Sequence, residues 1–323
     1  MSKRLLFVCY PDTNHPIGGV KQIYRQVELL HRAGFDAWVL QQAPEFRANW
    51  FDSDAPVLDI ASYLASPPNA DNDVIVLPET WLTNVPSYLA GIPKVIFNQN
   101  AFYTFGLEGN CNPNTLELYR HQDIIGVVTV SEDSRRLLVN GCGIDTNKCH
   151  SVLNGIDPNL FYVPEIKTRR ITYMGRKHVD HIRKVALMAA QRPALARYPF
   201  RELGRLSHQE VAKELREALV FVSSGHPEGF GLPLAEALAC GCLVIGYHGL
   251  GGRDFALPHM HCVEFGDLLG FIEALETEIM RFEANPIEVG SERHAAARAI
   301  QETYSPDAEN ERALAVWGAL AMA

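Results

Sequence analysis

Residues 219–246 read LVFVSSGHPEGFGLPLAEALACGCLVIG, and their pattern decides the fold. Val220, Phe221 and Val222 form a short β-branched and aromatic run of the kind that fills a buried strand, and Ser223, Ser224, Gly225 and Pro227 break it. Pro233 then stands where a first helical residue belongs. Leu234, Ala235, Ala237, Leu238 and Ala239 carry a helix that stops at Gly241. Leu243 to Ile245 reads as a second buried strand. Strand, glycine-rich turn, helix and strand make one βαβ unit of a parallel sheet.

Two carboxylates frame the turn, Glu228 in the loop and Glu236 in the first helical turn, with Gly229, Phe230 and Gly231 between them. The glycines let the backbone approach a ligand closely. Free N–H groups at a helix start favour an anion by roughly 0.3–1 kcal/mol when exposed and about 2 when partly buried. Such a turn suits a phosphate, and a carboxylate on either side can accept hydrogen bonds from hydroxyl groups. A phosphate between hydroxyl-bearing rings describes a nucleotide sugar.

The segment EGFGLPLAE, from Glu228 to Glu236, resembles the Glu-x7-Glu signature of retaining glycosyltransferases of family 4, which have the GT-B fold. The resemblance implies an α/β protein in which two Rossmann-like, doubly wound domains face each other across a cleft. It also implies a nucleoside-diphosphate sugar as donor, a hydroxyl acceptor (glycan, lipid or small molecule), and no cofactor.

Composition sets bounds on that reading. A chain of 323 residues suits two domains of about 150 residues each. At 47% hydrophobic and 21% charged it is globular, and a net charge of -9 argues against a nucleic-acid partner. No apolar run reaches the roughly 18 residues that span a bilayer, so a cytoplasmic location is expected, with at most peripheral membrane contact. The 7 cysteines are odd in number and form no CxxC pair, which fits a reducing compartment and gives zinc no support.

Arg4 to Tyr10 reads as the first strand, and Gly18-Gly19-Val20 opens a helix with apolar Ile23, Val27, Leu30 and Ala33 at helical spacing. No GxGxxG fingerprint follows the strand, which argues against a dinucleotide. The resemblance places Gly18 and Gly19 at the cleft, although a glycine at a helix start needs no ligand. Val74 to Leu77 and Val95 to Phe97 read as strands, with a helix near Leu82 to Ala90. Asp52-Ser-Asp54 and Asp71-Asn-Asp73 match the Asp-x-Asp metal motif of the other large glycosyltransferase fold, GT-A. That motif should follow a buried strand, and Asp71 and Asp73 precede one, so they read as turn residues and no metal site is assigned. Asn98, Gln99 and Asn100 close a strand and lead to Phe102, Tyr103 and Phe105, where open α/β sheets bind ligands; anchoring of the loop explains the aromatics equally well. Many family members carry a histidine about where Gln99 stands. No acid or base role is therefore carried onto Gln99, which with Asn100 remains a cleft or acceptor candidate.

Val127 to Val130 reads as a strand, and Ser131 as the cap of a helix through Val139. Asn154-Gly-Ile-Asp157 resembles the family element at the crossing into the second domain. The expected domains are 1–157 with a returning C-terminal helix at about 305–323, and 158–304. In the second, Ile171-Thr-Tyr-Met-Gly-Arg-Lys-His-Val-Asp180 resembles the family's strand, Gly-Arg and Lys-Gly-hydrophobic-Asp sequence, with His178 in place of the glycine. On that match Arg176 and Lys177 face the diphosphate, and the second phosphate contact stays open among Lys177, Arg183 and Lys184. His259 and His261 lack a third ligand for a metal.

The resemblance thus implies metal-independent, retaining sugar transfer. Glu228, Arg176 and Lys177 carry the catalytic roles, and Glu236, Gly229, Phe230, Gly231, Leu232 and Asn154 hold the donor. A nucleotide-sugar epimerase of the same fold and a catalytically silent GT-B partner protein are the alternatives.

Overall fold

The structure, a computed structural model, describes residues 2–106, 111–112 and 114–323. It divides into two compact units, residues 1–154 with 307–323, and residues 155–306.

The first unit is built on a parallel sheet of β1 (Arg4–Val8), β2 (Ala37–Gln41), β3 (Val57–Asp59), β4 (Asp73–Pro78), β5 (Lys94–Asn98), β6 (Ile124–Thr129) and β7 (Cys149–Ser151). Their order is β3-β2-β1-β4-β5-β6-β7, which reverses direction between β1 and β4. Leu5, Leu6, Phe7 and Val8 are all fully buried, because a parallel sheet covered on both faces buries successive residues rather than alternate ones. Around it lie α1 (Gly18–Arg32), α2 (Ile60–Leu64), α3 (Thr115–Leu118) and α4 (Glu132–Arg136). α1 buries Val20, Ile23, Tyr24, Val27 and Leu30, while Ala33, expected on the same face, lies past the helix end and is exposed.

Two expected helices come out differently. The segment after β4 is a 3₁₀ helix over Glu79–Asn84 rather than a helix near Leu82 to Ala90. Pro86 has no N–H to continue a helical ladder. The helix that Ser131 caps runs only to Arg136 and continues as a π turn over Leu137–Gly141. Asp73, expected in a turn, begins β4 and is buried. Its carboxylate takes Arg4 at 2.9 Å and the Tyr63 hydroxyl at 3.0 Å, a structural role.

The second unit has β8 (Thr168–Met174), β9 (Phe200–Leu203), β10 (Ala218–Ser223), β11 (Leu243–Gly246) and β12 (His261–Cys262), in the order β12-β11-β10-β8-β9 and again parallel. Its helices are α5 (Val179–Ala189), α6 (His208–Glu217), α7 (Leu232–Ala239), α8 (Arg253–Ala256), α9 (Leu268–Ala284) and α10 (Pro286–Thr303). Ile171, Val220, Val222 and Ile245 of the sheet pack with Phe271, Ile272 and Leu275 of α9. With every strand parallel, the segments that follow β8, β10 and β11 gather at one end of the sheet, where open α/β sheets bind ligands.

The last helix, α11 (Pro306–Met322), completes the first unit. Its Trp317 is fully buried against Phe7 and Phe97, with ring centroids 4.8 and 5.7 Å away. The indole donates to Gln26 at 2.9 Å, while Gln26 and Arg25 donate to buried Glu309 at 3.0 and 2.5 Å. That ion pair and hydrogen bond offset the desolvation of the carboxylate. The cysteines are free, and among the described residues no helix is long and apolar enough to cross a membrane.

Candidate functional site

At the carboxyl end of the second sheet, the loop after β10 and the loop after β11 are locked together through backbone. The Glu228 N–H donates to the Gly249 carbonyl at 2.7 Å, and the Gly251 N–H donates to the Glu228 carbonyl at 3.1 Å. A side chain at Gly251 would place its Cβ 2.1 Å from the Gly229 oxygen, so this approach is open only to glycine. Gly231 caps α7 with φ of 93°, again a conformation for glycine.

The helix begins at Leu232, which makes Pro233 its second residue and moves Glu236 out of the first turn. Pro233 has no N–H, and the Leu234 N–H already bonds back to the Gly231 carbonyl at 3.0 Å. The amides of Gly231 and Leu232 are left without a protein acceptor among the described residues. Two donors, rather than a full turn of them, are therefore offered to an anion. Phe230 is buried, packed on Phe255 and Tyr304 at 5.0 and 5.3 Å, and supports the loop from beneath.

The loop after β8 supplies the cations. Lys177 Nζ lies 3.1 Å from Glu228 Oε2 and also donates to the Pro227 carbonyl. The Lys177 carbonyl accepts from Ser224 Oγ at 2.8 Å, so the segments after β8 and β10 hold one another. Arg176 is exposed and, among the described residues, has no ion-pair partner. Arg183 is turned to Glu202 at 3.2 Å and Lys184 to Asp180 at 3.0 Å. Of the three residues left open for a second phosphate contact, Lys177 is the one beside the glycine loop. His178 occupies a left-handed conformation with φ of 50° at the N-cap of α5, the geometry for which glycine is the usual residue.

Glu236 is buried, and its Oε1 is 3.2 Å from His208 Nε2 on the first residue of α6. Sequence reasoning passed over His208, whose role depends on a contact between two helices. Phe161 sets its ring edge-on to that imidazole at 5.2 Å. The second carboxylate oxygen of Glu236 has no protein partner among the described residues and can accept from a ligand hydroxyl.

Two of the first-unit candidates, Gln99 and Asn100, are bound up in loop contacts. Gln99 donates from its side chain to the Gly19 carbonyl at 3.2 Å, and from its backbone to Glu79 Oε2 at 3.0 Å. Asn100 caps the 3₁₀ turn Ala101–Phe105 by accepting from the Phe102 N–H at 3.2 Å. Gly18 is the first residue of α1. Asn154 is buried, and its Oδ1 has no partner among the described residues. Glu79, which no motif flagged, is buried, and burial pushes its carboxyl up to about 7.

Two parallel sheets, each with helices after its strands, are the α/β architecture of the GT-B fold. Residues 200–298 match the model for glycosyl transferases group 1, a span that contains Glu228, Glu236 and both glycine loops. An alpha-1,6-glucosyltransferase of Actinobacillus pleuropneumoniae is 26% identical over 188 residues, which cover 56% of this chain and 54% of that protein. The match spans about half the length of that curated relative. HepE from Anabaena, solved with UDP-glucose, superposes with a TM-score of 0.75 at 15% identity over 98% of this chain and 99% of its own. Sucrose-phosphate synthase from Thermosynechococcus elongatus does so with a TM-score of 0.72 at 16% identity, over 98% of this chain and 99% of its own. At these identities the structural likeness is one of fold.

Proposed function

We propose that the protein transfers a sugar, with retention of configuration and without a metal, from a nucleoside diphosphate to a hydroxyl acceptor. The observation that carries this is the assembly at the carboxyl end of the second sheet. There, two amides without a protein acceptor among the described residues and a lysine meet at a glycine loop with an acidic residue on either side, and an exposed arginine immediately precedes that lysine in the chain. The Gly231 and Leu232 amides, Arg176 and Lys177 are the donors for the diphosphate. They stabilise the leaving group as its negative charge grows, and charge-assisted hydrogen bonds contribute about 1.5–3 kcal/mol each. Glu236, oriented by His208, accepts from the ribose hydroxyls.

Glu228 accepts from hydroxyls of the donor sugar and faces the positive charge that develops on the ring. Its bond to Lys177 keeps that carboxylate in place before the donor arrives. Arrival of a diphosphate gives Lys177 a second anion to share. The departing phosphate is the base that takes the acceptor proton, in a same-face substitution that needs no protein nucleophile. Asn154 is kept as a donor-binding candidate, and Gly18, Gly19, Gln99 and Asn100 as acceptor candidates, of the same reading.

HepE was solved with UDP-glucose, and the curated relative is named for glucosyl transfer, so UDP-glucose is the donor to test first. Thermal shifts with UDP, GDP, ADP, CMP and dTDP ligands identify the base, since a bound species raises the melting temperature with occupancy. Incubation with UDP-glucose and saccharide acceptors, with and without chelator, then reads transfer, its metal requirement and, by NMR of the product, its anomeric outcome. Transfer that survives chelator and keeps the α configuration supports the reading. Isomerised donor in the absence of acceptor replaces it with an epimerase, and donor binding without turnover replaces it with a silent partner protein.

A further inference from the structure

Next to Lys177, the first turn of α5 holds His178, Asp180 and His181, with one ligating atom from each lying within 4.8 Å of the other two. What distinguishes this trio from a chance cluster is how the two imidazoles are held. His178 Nε2 is 2.8 Å from the His226 carbonyl. A carbonyl only accepts, so Nε2 carries the proton and the Nδ1 lone pair is available; among the described residues Nδ1 has no protein partner. His181 Nδ1 is 2.8 Å from the Tyr247 hydroxyl, which itself accepts from the Gly266 N–H at 3.2 Å; in the tautomer whose Nδ1 donates to that hydroxyl, Nε2 is the ligating atom. Metal-binding histidines are held in this way, the other ring nitrogen donating to a carbonyl or another fixed oxygen so that tautomer and ring orientation are set beforehand. Both rings also pack against Phe265, with centroids at 4.8 and 5.7 Å, which limits their rotation.

We propose that His178, Asp180 and His181 form a site for a divalent transition ion of the zinc class. Two imidazoles with one carboxylate select zinc or its neighbours over magnesium and calcium, which take oxygen ligands. Two ligands on a tetrahedral zinc stand about 3.3 Å apart, so the three side chains close by roughly 1–1.5 Å, within reach of side-chain torsions. The surrounding charge permits this. Arg183 is paired with Glu202 and Lys177 with Glu228, Arg176 is exposed to solvent, and the bond of Lys184 to Asp180 is an exposed i,i+4 pair worth little and easily released. Sequence reading passed over the site because His178 registered only as a departure from glycine. The proposal concerns binding and stands independently of the transferase reading.

The test is isothermal titration of the full chain, stripped by chelator, with Zn²⁺ and with Mg²⁺. His178→Gly is the cleanest variant, since it removes the imidazole and supplies the residue that a φ of 50° favours. The expected result is one saturable Zn²⁺ per chain, no Mg²⁺ binding, and affinity weakened at least ~10-fold by His178→Gly and by His181→Ala. Cobalt added in place of zinc should give the visible absorption of a tetrahedral ion in the wild type and lose it in both variants. Zinc binding that is unchanged in both variants, or no saturable binding at all, overturns the proposal.

Discussion

The two units handle the same kind of residue at the same end of their sheets in opposite ways. In the first, the Gln99 backbone donates to Glu79, its side chain donates to Gly19, Asn100 accepts from Phe102, and the carboxylate is buried. In the second, Arg176 is exposed, and Lys177 and Glu228 form a pair with both side chains partly open to solvent. Polar groups buried among their own bonds hold a loop, whereas polar groups open to solvent are available to a ligand. A strand end rich in polar residues therefore does not by itself identify a binding surface. What separates the two cases is whether the polar groups are buried or open to solvent.

That contrast can be broken by mutation, and the largest effect should fall in the second unit. Replacing Glu228 with Ala removes the carboxylate facing the reacting ring, so kcat should fall about 10²- to 10³-fold. Steady-state rates within a few-fold of wild type would remove Glu228 from the chemistry. Next comes Glu79, where the effect is on stability and depends on pH. Below its ordinary value of 4.5 both folded and unfolded states carry the proton; from there to about 7 the unfolded chain releases it and the folded one does not. Stability is therefore lost as pH rises through that window, by about 3 kcal/mol for this group. Glu79→Gln keeps an acceptor for the Gln99 N–H and should flatten that loss, read by denaturant unfolding near pH 5 and near pH 8. Equal pH slopes in both proteins would show that the carboxylate reaches solvent.

Glu236→Ala should raise the donor KM about 10- to 100-fold with a smaller change in kcat, because it removes one or two hydrogen bonds to a charged acceptor. An unchanged KM would take Glu236 out of donor binding. The smallest effect is expected at Gln99, where Gln99→Ala should cost about 1 kcal/mol of stability through the lost bond to Gly19 and leave turnover within about threefold. A hundredfold loss of turnover at unchanged stability would instead show that the first-unit loop contacts a reacting group, and the contrast between the units would fail.

Much of the architecture is legible in the sequence because buried parallel strands and glycine loops leave a local trace. Val220 to Val222, the loop through Gly231 and the helix stop at Gly241 can all be read from neighbouring residues. What escapes such a reading depends on contacts between distant segments. The short strands β3, β7 and β12 carry too few residues to show a period and exist because a neighbouring strand pairs with them. His208 meets Glu236 across two helices, and Glu79 titrates as it does because other segments bury it. The shift of the α7 start to Leu232 has a local cause in the left-handed Gly231, but one set by tertiary structure rather than by the proline that suggested the boundary.

The position of Trp317 bears on how the chain is made. Phe7 and Phe97 receive this indole from a helix that leaves the ribosome only after all of residues 155–306. During synthesis, then, the unit that begins first is the one that finishes last. Its sheet must wait, with part of one face uncovered, while the other unit has every residue it needs to fold.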